Sequence, residues 1–279
     1  MTDKNKNLLL RLGTALVLLP VLLYLLYRGG WFTAVLLLWG AASATGEYIK
    51  ITLGEVSPIG WFTILMAGLM PLTVVWKPWE PAVLVGGLIG VVIMAAWLWH
   101  LVKGPLLEAP TRVAHLVTAL VYCGGGMTAL MTVRNLPDGG WWLVCALVVT
   151  WMNDTTAYFA GRLFGKHKLY PAVSPNKTWE GFAGGMVGSV VGLFIVKLGF
   201  FPSMTPMDAV VMGILGGILG PAGDLCESML KRAYNVKDSG KMIPGHGGML
   251  DRVDALLFNA PMVLLWVQFG RVALHQGPG

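Results

Sequence analysis

The stretch MDAVVMGILGGILGPAGDLCESMLKRAYNVKDSGKMIPGHGGMLDRVD, residues 207–254, places a charged segment directly after a long apolar one. From Asp224 to Asp254 it holds five acidic residues, five Lys or Arg residues and one His, in a chain that is 56% hydrophobic and only 12% charged. A membrane protein that concentrates ions of both signs in one segment usually uses them for chemistry or transport. The stretch therefore predicts membrane-spanning helices that carry a charged functional loop.

Apolar segments of spanning length recur along the whole chain, whose mean hydropathy is +0.68. A spanning helix needs about 20 predominantly apolar residues. Nine segments meet this requirement and predict an all-α polytopic membrane protein of about nine transmembrane helices. The segments are 12–27, 31–50, 59–76, 82–102, 113–133, 140–160, 180–200, 207–229 and 252–273.

The distribution of positive charge predicts the orientation of these spans. With the N-terminus in the cytoplasm, the inner segments hold 15 of the 20 Lys and Arg residues, as the positive-inside rule requires. The C-terminus is then on the opposite side, and the loops 161–179 and 230–251 face the cytoplasm. Residues 1–110 carry little that resembles a site and are interpreted as a packing or dimer face, whereas residues 111–279 are interpreted as the catalytic region.

Two groups of residues, each containing a pair of acids, bracket the second loop. Asp224, Glu227 and Ser228 are spaced i, i+3 and i+4, and Asp251 and Asp254 are spaced i and i+3, so each group shares one helix face. Like charges at this spacing repel each other and therefore need a counter-cation. Mg²⁺ suits them, because it takes carboxylate oxygens together with phosphate oxygens of a substrate.

The first loop and the helix before it contain a second polar set. Asp154 lies within the sixth span, where a carboxylate is costly, so it is interpreted either as a site residue or as a structural hydrogen-bonded group. Ser174 or Thr178 is expected to cap the next helix. Asn176 and Lys177 beside that helix N-terminus form a natural phosphate site, although a basic inner loop with a helix cap would show the same pattern.

The remaining polar residues of the spans are interpreted as structural. Glu47 lies near the inner end of the second span and is interpreted as an interfacial, partly paired carboxylate. Cys123, Cys145 and Cys226 form no CxxC pair or zinc spacing and are interpreted as small packing residues.

The charged stretch resembles the signature of the phosphatidate cytidylyltransferase family, also called CDP-diacylglycerol synthases. The matching residues are Ser228, Lys231, Arg232, Lys237, Asp238, Gly240, Ile243, Pro244, His246, Gly247, Gly248, Asp251, Arg252 and Asp254. Upstream residues are also similar to the family, namely Asp154, Ala157, Tyr158, Gly161, Arg162, Gly165, Ser174, Pro175, Asn176, Lys177, Thr178, Glu180 and Gly181. The resemblance is detailed over residues 150–254 and rests mainly on hydropathy over the first 110.

This resemblance implies an enzyme that transfers CMP from CTP to phosphatidic acid, giving CDP-diacylglycerol and pyrophosphate for phospholipid biosynthesis, with Mg²⁺ and a possible second cation as cofactors. The expected Mg²⁺ ligands are Asp224 and Asp251, followed by Asp254 and Glu227. The expected substrate contacts are Lys166, Lys177 and Lys237 on phosphates, Ser174, Asn176 and Arg232 on phosphates or base, and Asp238 and Arg252 as matched members of the signature. His246 is interpreted as a pyrophosphate contact, a proton shuttle or a loop histidine without a catalytic part.

The expected partners are CTP, phosphatidic acid, membrane lipids and a second copy of the chain, with no nucleic acid. A CTP-dependent kinase of a membrane alcohol is the alternative from the same chemistry, and it would release CDP rather than pyrophosphate. An ion-coupled transporter is the alternative from another class. Such transporters are commonly built from two related halves with broken helices, whereas the sequence contains no internal repeat.

Overall fold

Helices make up most of the computed structural model, which describes residues 20–76, 80–242 and 247–271. The helices are α1 (20–28), α2 (Gly30–Leu53), α3 (Pro58–Leu69), α4 (Pro81–Lys103), α5 (Ala109–Ala119), α6 (Gly126–Asn135), α7 (Gly139–Phe164), α8 (Trp179–Gly199), α9 (Pro206–Ala233) and α10 (Leu250–Leu265). The chain divides into two compact units. The first unit runs to Asn135 and includes Tyr234–Arg252, and the second unit comprises Leu136–Ala233 and the residues from Val253 onward.

Five helical segments among the described residues are long and apolar enough to cross a membrane, which confirms a helical membrane protein. They are Pro81–Lys103, Leu106–Asn135, Trp179–Gly199, Pro206–Ala233 and Leu250–Gly270. Each coincides with a predicted span. The count of nine spans and the sidedness of the termini stay predictions, as does the division at residue 110, which rests on where the polar residues concentrate along the sequence.

The other predicted spans differ in how regular their helices are and in how much of each is described. α2 and α7 are long helices, and the predicted span 59–76 consists of α3 followed by the 3₁₀ turn Met70–Val74. Pro71 lies at the start of that turn, where its missing N–H prevents a regular α-helical continuation. The predicted span 12–27 lies partly outside the described residues.

A short β-hairpin corrects the prediction of an all-α chain. Strands β1 (Lys168–Tyr170) and β2 (Ser174–Thr178) pair antiparallel, with Lys168 opposite Thr178 and Tyr170 opposite Ser174. The hairpin lies in the segment 161–179, which was predicted as a loop. Its strands are too short and too polar to show the alternation by which a strand is predicted.

The first unit is built around buried apolar contacts between its helices. Ala67, Met70, Val92 and Leu120 are almost inaccessible to solvent and form one cluster. Leu120 begins a π-helical segment, Leu120–Gly125, that connects α5 to α6. The fifth predicted span is therefore an α-helix with a one-turn π insertion, a feature that is frequent at functional sites.

The second unit packs α7, α8 and α9 against one another through small residues. At Gly217 of α9, an added Cβ would stand 2.7 Å from the Met186 Cα of α8, so only glycine permits this approach. Close backbone contact of this kind is how helices associate in a membrane, where the hydrophobic effect between spans is weak. This packing fixes the ends of three helices around one cavity.

Candidate active site

A cavity of about 660 Å³ lies in the second unit beside the β-hairpin. Its wall combines carboxylate, amide, lysine and arginine groups with apolar side chains. The lining residues are Asn153, Asp154, Ala157, Tyr158, Gly161 and Arg162 of α7, Leu169, Asn176, Lys177 and Thr178 of the hairpin, Gly181 and Phe182 of α8, and Pro221 and Asp224 of α9. The size suits a substrate of a few hundred daltons.

An ion pair between the hairpin and α9 crosses this cavity. Lys177 Nζ lies 2.7 Å from Asp224 Oδ2, and the two side chains are 27% and 34% exposed. Ser228 Oγ donates a hydrogen bond to Asp224 Oδ1 at 3.2 Å. The structure thus brings together Asn176 and Lys177, which the sequence placed in the first loop, and Asp224, which it placed near the end of a later helix.

Glu227 and Asp254 are the other predicted Mg²⁺ ligands in the second unit. Glu227 is fully buried and forms an ion pair with Lys231, one turn further along α9. Asp254 is half-buried, and its carbonyl oxygen lies so near Gly223 that an added Cβ there would stand 2.7 Å away. Asp254 is therefore held against the turn of α9 that carries Asp224.

A buried asparagine connects the three helices beneath the cavity. Pro221 lies inside α9 and has no N–H, so the carbonyl of Gly217 lacks its usual helical partner. Asn153 Nδ2 donates to that carbonyl at 3.3 Å and to Ser189 Oγ of α8 at 3.3 Å. Ser189 Oγ in turn donates to the Val149 carbonyl of α7 at 3.1 Å. The sequence gives no signal for this role of Asn153, because its partners are distant in the chain.

We expect Asn153→Ala to destabilise the protein by about 1–2 kcal/mol, because two interhelical hydrogen bonds are lost and the Gly217 carbonyl is left without a donor. Thermal unfolding in detergent measures the change, with Thr155→Ala, at an exposed position of the same helix, as the matched control. Equal unfolding midpoints for the two variants would show that the network does not hold the helices together.

The start of α8 is fixed by one side-chain cap, and its first turn is hydrogen-bonded to the turn before the hairpin. Thr178 Oγ1 accepts a hydrogen bond from the Gly181 N–H at 3.1 Å, which confirms Thr178 as the helix cap; Ser174 lies in β2 instead. Glu180 accepts hydrogen bonds from the Lys166 and His167 N–H groups at 3.1 and 3.3 Å, and its Oε1 lies 2.6 Å from His167 Nδ1. Glu180 therefore orients the turn that leads into the hairpin.

The remaining predicted substrate contacts of the second unit lie at exposed or partly exposed positions. Arg162, which the sequence matched to the family without assigning it a substrate contact, lines the cavity and donates to the Tyr158 hydroxyl at 3.2 Å. Lys166 and Arg232 are exposed, whereas Ser174 is half-buried. The structure does not place these last three in the cavity wall.

Other predicted site residues belong to the first unit. Lys237, Asp238 and Arg252 are exposed. Asp251 Oδ2 accepts hydrogen bonds from the Ser239 and Gly248 N–H groups, both at 3.0 Å. His246 lies outside the described residues.

The donor set is compatible with Mg²⁺. Among the residues described, no three His, Cys, Asp or Glu side chains come close enough to hold a metal on their own. Mg²⁺ is commonly held by only one or two carboxylates together with substrate phosphates, so a site without three protein ligands still fits. Asp224 is partly exposed in the cavity and offers such an oxygen.

Comparison with known proteins decides the family. A model of the cytidylyltransferase family matches residues 9–269. The chain belongs to the cytidylyltransferase family. This agrees with the resemblance of residues 150–254 to one branch of such enzymes and extends it across the first unit.

Curated members of the family are similar to this chain at 30–42% identity. A phosphatidate cytidylyltransferase of Staphylococcus epidermidis is 30% identical over 253 residues, which is 90% of this chain and 95% of that protein. Those of Bacillus subtilis and Staphylococcus haemolyticus are each 42% identical, over 153 and 151 residues respectively. These two matches cover 54% of this chain and 57% of each relative, so the chain spans a little more than half the length of these relatives.

Proposed function

We propose that this chain is a phosphatidate cytidylyltransferase, an integral membrane nucleotidyltransferase of phospholipid biosynthesis. A phosphate oxygen of phosphatidic acid attacks the α-phosphorus of CTP. The bond from that phosphorus to the oxygen bridging it to the β-phosphate breaks, and its electron pair leaves with pyrophosphate. CDP-diacylglycerol is the second product.

The Lys177–Asp224 ion pair in the cavity is the observation that carries this proposal. It presents a cation and a carboxylate at one wall of a space large enough for a nucleotide. The attacking phosphate is already ionised near neutral pH, so the reaction needs no strong general base. What it needs is charge neutralisation and alignment of two polyanions, which supply most of the rate enhancement in phosphate chemistry.

The chain's own residues divide this task. Lys177 binds and neutralises phosphate oxygens, Arg162 and Asn176 orient them from the cavity wall, and Asp224 holds Lys177 in place. Asp224 and Asp254 are the second-unit residues that would hold Mg²⁺. When bound, Mg²⁺ supplies Lewis-acid stabilisation of charge on the phosphates.

Several predicted roles go beyond the cavity. Asp251 and Glu227 as Mg²⁺ ligands, Lys237 as a phosphate contact and His246 at the pyrophosphate stay predictions from the resemblance, as does a homodimer.

A product assay on the purified protein in detergent tests the reaction. CTP, phosphatidic acid and MgCl₂ are incubated with the protein, and pyrophosphate and CDP-diacylglycerol are both quantified. The reaction predicts equal amounts of the two products. We expect both products to form, and expect EDTA to abolish them. Consumption of CTP without pyrophosphate, or no consumption with phosphatidic acid, would contradict the proposal.

We further propose that the chain crosses a bacterial inner membrane with its N-terminus and both charged loops in the cytoplasm. The 15 of 20 Lys and Arg residues in the inner segments support this orientation. An alkaline phosphatase fused after Gly279 is then expected to be active, and a green fluorescent protein fused there to be dark. The matched fusion within the 161–179 loop, after Lys168, is expected to be fluorescent. The reverse pattern would contradict the orientation.

A further inference from the structure

Glu47 of α2 is a buried acidic residue whose partners lie far away in the sequence. Its side chain is almost fully enclosed, with a relative exposure of 9% for the residue. Oε2 accepts hydrogen bonds from Ser239 Oγ at 2.9 Å and from the Leu250 N–H at 2.8 Å, and Oε1 accepts from the Met249 N–H at 2.9 Å. This geometry corrects the interpretation of Glu47 as an interfacial, partly paired carboxylate.

The contacts of Glu47 explain why a carboxylate is stable there. A buried carboxylate is costly unless hydrogen bonds satisfy it, and Glu47 has three. Met249 and Leu250 stand at the start of α10, where the N–H groups have no partner within the helix. A negative charge at a helix N-terminus is also favoured by the helix dipole. Glu47 therefore caps α10 from a different part of the chain.

Two glycines of the charged segment make room for this carboxylate. At Gly248, an added Cβ would stand 2.5 Å from Glu47 Oε2 and 2.6 Å from the Gly240 nitrogen. At Gly240, an added Cβ would stand 2.8 Å from Glu47 Cδ. Any side chain at either position would displace the carboxylate, so the glycines and Glu47 form one packed arrangement.

Ser239 connects Glu47 to Asp251. Its hydroxyl donates to Glu47 and accepts a hydrogen bond from the Asp251 N–H at 3.2 Å, and its own N–H donates to Asp251 Oδ2 at 3.0 Å. The Gly248 N–H donates to the same carboxylate oxygen at 3.0 Å. The carboxylate of Asp251 is therefore oriented by a segment that Glu47 holds in place.

We propose that Glu47 is a positioning residue for the reaction, which fixes the charged segment and through it the carboxylate of Asp251. This inference rests on the proposed function, because Asp251 is a Mg²⁺ ligand only in that proposal. Glu47 contacts no substrate in this role. It acts by holding Ser239 and the first turn of α10 in one arrangement.

Glu47→Gln tests the role with little change in shape. A glutamine has a single acceptor oxygen, and its amide N–H₂ would face N–H donors where Glu47 has an oxygen. We expect the folded variant to show a kcat about 10–100-fold lower and a higher half-saturating Mg²⁺ concentration, as found when residues that support metal ligands are changed. Glu55→Gln, an exposed carboxylate just after α2, is the matched control and is expected to behave as wild type.

Limited trypsin digestion provides a readout that does not depend on activity. We expect Glu47→Gln to speed cleavage after Lys237 and Lys241, which are exposed residues of the charged segment that Glu47 holds in place. Cleavage after the exposed Lys103 of α4 is expected to be unchanged. If Glu47→Gln does not fold, Ser239→Ala is tested in its place, because it removes the hydrogen bond from the Ser239 hydroxyl to Glu47.

The outcomes separate the two proposals. An active wild type whose Glu47→Gln variant matches it in kcat, Mg²⁺ dependence and cleavage overturns the role of Glu47 and leaves the proposed function standing. A reduced unfolding midpoint with wild-type kinetics in the folded fraction also overturns it, because that result indicates a purely structural residue. If wild type lacks cytidylyl transfer, the proposed function fails, and the proposed catalytic role of Glu47 fails with it; cleavage then tests only whether Glu47 holds the segment.

Discussion

Replacing Asp224 by Asn is expected to lower cytidylyl transfer about 1,000-fold while leaving the protein folded. The substitution keeps the size of the side chain but removes the charge that pairs with Lys177 at 2.7 Å and that is proposed to hold Mg²⁺. A metal ion contributes several kcal/mol of transition-state stabilisation, and each 1.36 kcal/mol is a factor of ten in rate. Steady-state kcat in detergent, with saturating CTP and phosphatidic acid, measures the loss.

Asp138→Asn is the matched control for this substitution. Asp138 is an exposed residue of the second unit with a φ of 55°, a conformation that asparagine adopts readily. We expect the control to keep wild-type kcat. An Asp224→Asn variant with more than a tenth of wild-type kcat would exclude Asp224 from a direct role in charge neutralisation.

Replacing Lys177 by Met is expected to lower kcat/KM about 100-fold, which is the effect typical of removing one donor that stabilises transition-state charge. Methionine keeps most of the length and the apolar stem but loses the ammonium group. Two effects lower kcat/KM in this variant. Phosphate binding is weaker without the ammonium group, and Asp224 no longer has a cation beside it. Lys177→Arg keeps the charge and is expected to recover part of the activity, since arginine also binds phosphate oxygens.

Lys197→Met serves as the control for the loss of a positive charge. Lys197 lies in the last turn of α8 and does not line the cavity. We expect its kinetics to match wild type. If Lys177→Met retained wild-type kcat/KM under these conditions, the ion pair would be a structural contact and the cavity would need another phosphate-binding group.

The apolar helices were the most predictable part of the fold. α4 occupies Pro81–Lys103 against a predicted span of 82–102, because length and apolar character are local properties that the chain displays directly. The β-hairpin was not predicted, because β1 and β2 are short and polar and their pairing depends on contacts with each other. Pro175 within β2 further weakened any strand signal.

The residues of the candidate site were likewise predictable where the signal is local, and not where it depends on contacts between distant residues. Asp224 and Lys177 were singled out because charge is rare in this chain, and the structure places them in contact. Glu47 was misinterpreted because its three hydrogen-bond partners lie 192–203 residues further along. The role of Asn153 could not be predicted, because the need for a donor at Gly217 arises only from Pro221 inside α9 and from the packing of α7 beside it.

The destination of two phosphorus labels tests cytidylyl transfer most directly. Purified protein is incubated with phosphatidic acid, Mg²⁺ and CTP that carries ³²P at either the α or the γ position. The α label is expected to appear in the lipid product and the γ label in pyrophosphate, because the bond between the α-phosphorus and the bridging oxygen breaks. No α label in lipid from phosphatidic acid, together with a γ label in the lipid and an α label in CDP when a lipid alcohol replaces phosphatidic acid, would contradict the account and identify a CTP-dependent lipid kinase.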